Sequence, residues 1–323
     1  MIGMLSDTIL KNQLKFTLDK TNFKFGKKYE GKVRDNYTFD DKRIIITTDR
    51  ISAFDRVLCT IPFKGQVLNQ TAAFWFEKTK NIIENHVISI PDPNVMLVKE
   101  CKPLPVEMVV RGYITGVTTT SAWYNYEKGV RNFCGNILPE GLKKNQKLAK
   151  PIITPSTKAE HGAHDESVSG EEIIKRKVVD EKLYRQMEKA SLALFDFGTK
   201  LIVKNNLILV DTKYEFGELN GKLVLIDEAH TPDSSRFWIK NTYDKLFYQG
   251  QEPQKLDKEY VRMWLSEKGF IGEGKIPLIP DEVKVEAAKR YITAYEMITS
   301  KQFEAKNEDV WKRIEGSLRK IIF

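Results

Sequence analysis

No apolar run approaches the roughly 18 residues that a membrane-spanning helix needs; the longest, at residues 43–46 and 207–210, are strand-sized. The opening residues, Met1-Ile2-Gly3-Met4-Leu5-Ser6-Asp7, hold no basic stretch followed by an apolar one, so no secretory leader is expected. Cysteine is scarce: Cys59, Cys101 and Cys134 are odd in number, widely spaced and without a CxxC pair, which points to reduced thiols and a cytoplasmic protein. Zinc-finger spacing, an RNP-type aromatic motif and Arg/Gly tracts are all missing, so only net charge would favour nucleic acid. There is no GxxxxGK[ST] loop, no HExxH and no HRD-like catalytic loop. The four histidines support no Ser-His-Asp arrangement, and His161 and His164 lie in a Gly-containing loop with no cysteine nearby, a poor zinc site.

What is present is an ordinary globular composition: 323 residues, 41% apolar and 30% charged, enough for one large or two moderate domains. Lys and Arg number 52 against 44 Asp and Glu, a formal charge of +8. Such an excess suits nucleic acid, an anionic surface or polyanionic small substrates, or is surface background. The basic residues are scattered, with short clusters at Lys143-Lys144 and residues 175–177.

The chain shows no internal repeat or low-complexity linker. Its first third reads as β-rich: strands at 29–39 and 43–48 flank Asp40-Asp41-Lys42 as a hairpin. A helical period follows over 65–84, then strands at 86–90, 95–100 and 106–112, and a short helix at 121–128. Residues 139–170 lack a regular period and read as a long loop of the kind that is either functional or disordered. One long helix is expected from 169 or 170 to about 205, with Val179, Leu183, Met187, Ala190 and Leu194 as its apolar stripe. Strands at 207–219 and 222–228 flank Asn220-Gly221, a strong hairpin signal. Helices near 257–268, 281–300 and 307–320 close the chain. This order argues for an α+β fold rather than a regular βαβ alternation.

The most informative segment is Leu207-Ile-Leu-Val-Asp211-Thr-Lys213-Tyr-Glu215-Phe-Gly217. Alternation along a strand puts Asp211, Lys213 and Glu215 on one face, and the returning strand ends in Asp227-Glu228. Converging carboxylates beside a lysine suit a Mg²⁺–phosphate site, and a solvated hairpin with cross-strand ion pairs is the competing reading. Register separates the two. A two-residue turn at Asn220-Gly221 places Glu215 opposite Ile226 and leaves Asp227 on the other face. A bulge at Gly221, or an equivalent one near Gly217, is needed to bring Glu215 opposite Asp227. Gly31-Lys32 on the first hairpin is a weak sign of a loop lying over phosphates. Arg111 and Arg236 offer planar forks for phosphate or carboxylate, or surface ion pairs.

Taken in order, several segments resemble one family. These are Gly31-Lys32-Val33-Arg34-Asp35, Thr48-Asp49-Arg50-Ile51-Ser52-Ala53-Phe54-Asp55, Ile61-Pro62-Phe63-Lys64-Gly65 and Val109-Val110-Arg111-Gly112-Tyr113. Asp211-Thr212-Lys213-Tyr214-Glu215-Phe216-Gly217, Ile226-Asp227-Glu228 and Pro232-Asp233-Ser234-Ser235-Arg236 complete the set. It is similar, over about residues 27–300, to the phosphoribosylaminoimidazole-succinocarboxamide synthase (SAICAR synthetase) family of purine biosynthesis. The resemblance implies an α+β, two-lobe fold with a kinase-like nucleotide cleft: a β-rich ATP-binding lobe over residues 1–110 and a larger lobe over 111–323. It implies a ligase that condenses carboxyaminoimidazole ribotide (CAIR) with L-aspartate, using ATP and Mg²⁺, through an acyl phosphate. Small-molecule partners are implied, not nucleic acid or membrane, with a homo-oligomer allowed.

By family position, Gly31, Lys32 and Lys213 would hold ATP phosphates, and Glu215 and Asp227 would hold Mg²⁺. The strand at Glu107 and Val109 would act as a hinge reaching adenine through its backbone. Arg111, Arg236 and a serine would clamp the ribotide phosphate. Ser121 is the chosen serine, with Thr118, Thr119 and Thr120 as rivals because Val117–Thr120 intervene before it. Asp211, Lys158 and Asp165 would lie near the reacting carboxylate and amine, and Ser52 and Lys64 are candidates for the aspartate pocket. A small-molecule kinase on the same frame would share Lys32, Lys213, Glu215 and Asp227, but would need a catalytic base that no segment supplies.

Overall fold

The computed structural model describes residues 5–54, 56–157, 166–256 and 259–322. Lys158, His161, His164 and Asp165 lie outside the described residues.

After helix α1 (Asp7–Gln13), five strands follow: β1 (Lys27–Glu30), β2 (Arg34–Phe39), β3 (Lys42–Thr47), β4 (Arg50–Ala53) and β5 (Arg56–Thr60). Helix α2 (Lys64–Thr79) then leads to β6 (Val87–Asp92) and β7 (Val95–Lys99). The first sheet has the order β1-β2-β3-β7-β6, with β4-β5 as a separate hairpin. The expected strand at 29–39 is broken: Gly31 donates its N–H to the Arg34 carbonyl (2.8 Å), and the turn at 31–33 divides it into β1 and β2.

Strand β8 (Lys102–Ile114) belongs to a second sheet, so the chain changes sheets between Lys99 and Lys102, and residue 110 falls inside β8. Next come α3 (Ala122–Glu127), β9 (Asn132–Phe133), β10 (Asn136–Ile137), β11 (Gln146–Ile153), β12 (Ser156–Thr157) and β13 (Glu166–Ser167). Part of the expected loop at 139–170 is therefore strand, because β11 and β12 both pair with β8. The expected single helix is two, α4 (Gly170–Lys175) and α5 (Glu181–Ile202), separated where Lys177 takes a left-handed φ of 55°. Asp180 caps α5 by accepting from the N–H groups of Lys182 and Leu183.

Strands β14 (Leu207–Leu219), β15 (Lys222–Ile226) and β16 (Ser235–Ile239) complete the second sheet, and helices α6 (Lys240–Tyr248), α7 (Glu259–Glu267), α8 (Asp281–Thr299) and α9 (Val310–Ile322) follow. The sequence reading did not anticipate α1, β4, β5, β16 or α6.

Strand alternation gives the second sheet two unlike faces. Val106, Met108 and Val110 of β8 and Tyr214 and Phe216 of β14 point into a core shared with Trp75 and Phe76 of α2 and Leu194 and Phe195 of α5. Met96 and Val98 of the first sheet enter the same core, so one apolar cluster joins both sheets. The other face carries Glu107, Val109 and Arg111 opposite Glu215, Lys213 and Asp211. A second cluster packs α1, α2, α7 and α8 against the β4–β5 hairpin, and a third seats α9 on the first sheet.

Candidate active site

The polar face of the second sheet opens into two cavities. The first, of about 600 Å³, lies between the sheets and is walled by Gly31 and Lys32 on one side and by Glu107, Lys213, Glu215 and Asp227 on the other. Ile45, Val98, Cys101, Pro103 and Ile226 supply its apolar surface. The second, of about 320 Å³, is lined by Arg111, Thr118, Thr120, Ser121, Asp211 and Arg236, among others. Lys213 and Asp233 line both.

The β14–β15 turn decides the register question. Asn220 and Gly221 both have positive φ (51° and 74°), Leu219 pairs with Lys222, and Glu215 pairs with Ile226. The turn is the tight two-residue form, and the expected bulge at Gly221 is absent. An irregularity does occur beside Gly217, but on the β8 side: Glu215 faces Glu107 while Gly217 faces Pro103, and the β15 register is unaffected. Asp227 reaches the Glu215 side by another route. It follows the last residue of β15 with φ 62°, and this left-handed turn brings its carboxylate into the first cavity beside Lys213, Glu215 and Glu228.

Charge is concentrated there. Lys213 Nζ lies 2.8 Å from Glu107 Oε1 and also contacts Glu215. Burial opposes the ammonium, yet Glu215, Glu107 and Asp227 together hold the Lys213 pKa well above the usual lysine range. Burial pushes Asp227 up to about 6; Arg34 opposes the shift and Glu215 and Glu228 add to it. Arg34 of β2 reaches across the cleft to Asp227 (3.2 Å) and Glu228 (2.6 Å).

The second cavity is built on Asp211, which accepts from Arg111 (3.3 Å) and Arg236 (2.5 Å) and so holds the two forks side by side. Arg111 is fixed further by the Thr154 hydroxyl (2.8 Å) and the Thr120 carbonyl (2.9 Å). The Ser121 hydroxyl is 2.7 Å from that of Thr118, so the serine and one of its rivals share a corner. Between the cavities, Asp233 is held on both oxygens, by Lys64 Nζ (2.7 Å) and by the Tyr291 hydroxyl (2.6 Å).

The sequence-derived residues thus fall into groups. Gly31, Lys32, Ser52, Glu107, Glu215 and Asp227 line the first cavity; Val109, Arg111, Ser121, Asp211 and Arg236 line the second; Lys213 serves both. Two are placed differently from expectation. The Val109 carbonyl accepts from the Thr154 N–H (2.8 Å), and β8 is paired on both edges here, so that carbonyl is engaged within the sheet. Lys99 and Cys101, at the link between the sheets, stand on the wall of the first cavity. Lys64 is 0% exposed and lines neither cavity; its Nζ holds Asp233, which lines both. Lys158 and Asp165 lie outside the described residues. Arg34 and Asp233 stand inside recognised motifs, yet their roles depend on which carboxylate or amine faces them, which spacing does not show. Both described histidines, His86 and His230, are pushed down to about 3 by burial, so neither is a proton carrier near neutral pH.

Two polar cavities joined by one lysine and one anchored aspartate form a site of the kind enzymes use for charged small molecules. The chain belongs to the SAICAR synthetase family, whose model matches residues 27–276. It is 49% identical over 290 residues to the phosphoribosylaminoimidazole-succinocarboxamide synthase of Legionella pneumophila (strain Lens), covering 89% of this chain and 92% of that protein. A SAICAR synthase from Saccharomyces cerevisiae, solved in complex with SAICAR, superposes with a TM-score of 0.78 at 30% identity, covering 90% of this chain and 100% of that one. A SAICAR synthetase solved in complex with ADP superposes with a TM-score of 0.64 at 25% identity, covering 86% of this chain and 100% of that one. The α+β two-lobe architecture implied by the sequence is the fold these proteins share. Among the described residues, no helix is long and apolar enough to cross a membrane.

Proposed function

We propose that the first cavity takes ATP, the second takes CAIR, and L-aspartate enters where the two meet. The chain is a carbon–nitrogen ligase of purine biosynthesis that condenses CAIR with L-aspartate to SAICAR. The observation that carries the assignment of cavities is that Lys213 and Asp233 line both, so a γ-phosphoryl group and a ribotide carboxylate can meet at one ammonium.

The proposed chemistry follows from charge. The CAIR carboxylate attacks the γ-phosphoryl group, ADP leaves, and the aspartate amine displaces phosphate from the acyl phosphate. Both steps crowd negative charge at the junction, and Lys32 and Lys213 offset it without a covalent intermediate on the protein. Arg111, Arg236 and Ser121 anchor the ribotide phosphate at the far end of the second cavity, so binding energy there orients the carboxylate. Asp233, fixed on both oxygens, stands where the incoming amine loses its proton.

Mg²⁺ prefers hard oxygen ligands and is commonly held by one or two carboxylates together with substrate phosphates. Glu215 and Asp227 fit that pattern, since both carboxylates face the first cavity and are balanced by Lys213 and Arg34. Among the described residues no group of three or more His, Cys, Asp or Glu side chains is placed to hold a metal ion by itself. Bound there, Mg²⁺ would neutralise charge on the transferred phosphoryl group.

The test is ADP release with each substrate omitted in turn. Turnover that needs ATP, CAIR and aspartate together is expected; ATP turnover indifferent to both co-substrates would reject the reading.

A further inference from the structure

Arg262 lines the second cavity from α7 and has no part in the assignments above. Its guanidinium lies over the Phe54 ring, 5.5 Å from the centroid, and Nη1 donates to Glu259 at 2.6 Å. Nε is buried and has no hydrogen-bond partner. The other cations of this region have their acceptors: Arg111 and Arg236 share Asp211, Lys213 holds Glu107 and Glu215, and Lys64 holds Asp233. An arginine pinned on two sides, with an unanswered buried donor at a cavity wall, is built to receive a planar anion on its remaining edge.

We propose that Arg262 binds a carboxylate of the incoming amino acid. The claim rests on the reading of the second cavity as the CAIR site and deepens it by naming what recognises the second substrate. Position favours a carboxylate over the ribotide phosphate. Ser121, Gly116 and Arg236 cluster at one pole, where a Cβ on Gly116 would stand 2.4 Å from Ser121 Oγ and 3.2 Å from Arg236 Nη2. Arg262 instead packs against Phe54 of the β4–β5 turn, and Ser52 of that hairpin lines the first cavity. Arg262 therefore rests on the hairpin that also sends Ser52 to the first cavity, and so can hold an amino acid that enters between the two cavities. Phe54 is itself held by Phe270 (5.9 Å between ring centroids), so the platform under the guanidinium is fixed from two directions.

The experiment compares the intact protein with R262Q and R262K in the complete reaction, varying aspartate, CAIR and ATP separately. In R262Q the aspartate KM is expected to rise by about 10- to 100-fold, the loss typical of one charged hydrogen-bond pair, with the KM values for CAIR and ATP held within about 2-fold. R262K keeps the charge and the contact with Phe54 but lacks the fork, so it should fall between. Alanine and β-alanine, which lack the side-chain and the α-carboxylate respectively, serve as truncated amines. The discrimination of aspartate against one of them should collapse in R262Q, and that one identifies the carboxylate bound. A rise confined to the CAIR KM would overturn the proposal in favour of a phosphate contact. Equal changes in all three KM values, or discrimination unchanged against both truncated amines, would overturn it too. Wild-type turnover independent of aspartate would instead refute the reading of the reaction itself.

Discussion

Arg34 Nη1 lies 3.2 Å from Asp227 Oδ1, an ion pair that ties the first sheet to the end of β15 across the first cavity. The same guanidinium reaches Glu228 at 2.6 Å, so one arginine balances two carboxylates at the mouth of the cleft. Side chains that join the first sheet to β15 thus also line the cavity proposed for ATP, and changes here should separate binding from folding.

Asp227→Asn should leave the protein folded and lower turnover by at least about 100-fold, the upper end of what even an outer partner of a metal costs. The Asp227 pKa is raised from 3.8 to about 6, chiefly by burial, so its charged form appears only as pH passes about 6. Apparent Mg²⁺ affinity in the wild type should therefore weaken as pH falls through 6. The folded state holds this proton more tightly than the unfolded chain, so the linked stability declines as pH rises from about 4 to about 6. The Asp227→Asn variant should lose that share of the decline, leaving the share from Asp49, also raised to about 6 by burial. Denaturation midpoints across this range check the sign, and an unchanged slope would remove the assignment.

Arg236→Ala should raise the CAIR KM by about 10- to 100-fold while leaving the ATP KM nearly unchanged. Its Nη1 lies 2.5 Å from Asp211 within the second cavity only. Initial rates with each substrate varied alone measure the ratio, and equal effects on both constants would argue against a ribotide clamp.

Arg50→Met should destabilise the protein by about 1.5–3 kcal/mol, because it removes a charged hydrogen bond from buried Asp35 while leaving the carboxylate Lys28 (3.3 Å) and Thr21 (2.7 Å). Arg50 donates to Asp35 (2.8 Å) and to the carbonyls of Gly31 (2.9 Å) and Lys32 (3.1 Å), so it also shapes the turn facing the nucleotide. Replacing Asp35 as well, in R50M/D35N, should recover part of the stability without restoring the ATP KM. Thermal midpoints and ATP titrations separate the two effects. Full recovery of both would leave Arg50 without a positioning role.

Gly116→Ala should impair CAIR binding and cost about 1–3 kcal/mol of stability. Gly116 has φ 93°, and an added Cβ would stand 2.4 Å from Ser121 Oγ, in the corner assigned to phosphate. A CAIR KM within about 2-fold of wild type would show that the corner lies outside the ribotide path.

Long periodic elements were legible in the sequence. The 207–219 and 222–226 hairpin, α2 and α8 stand close to where alternation, helical period and Asn220-Gly221 place them. Strands β4, β5 and β16 and helix α6 were missed because they are short; β4 and β5 pair with each other, and β16 pairs with the more distant β14. Asp211, Lys213 and Glu215 were readable as one face because a strand alternates with period two whatever surrounds it. Asp227 was read as a metal ligand by resemblance, but through a bulge that does not occur. Its left-handed φ is a single-residue choice, set by the chain's need to turn after β15.

The sequence by itself determined the family, the α+β order of elements and the charged face of β14, because each is written in local pattern or ordered motifs. Tertiary structure decided which cavity each charge serves. It showed that the Val109 carbonyl is bonded within the sheet, that Lys64 pairs with Asp233, and that Arg34 and Arg262 line the cavities. These outcomes depend on which backbone groups and counter-charges are already taken, and only packing between distant segments settles that.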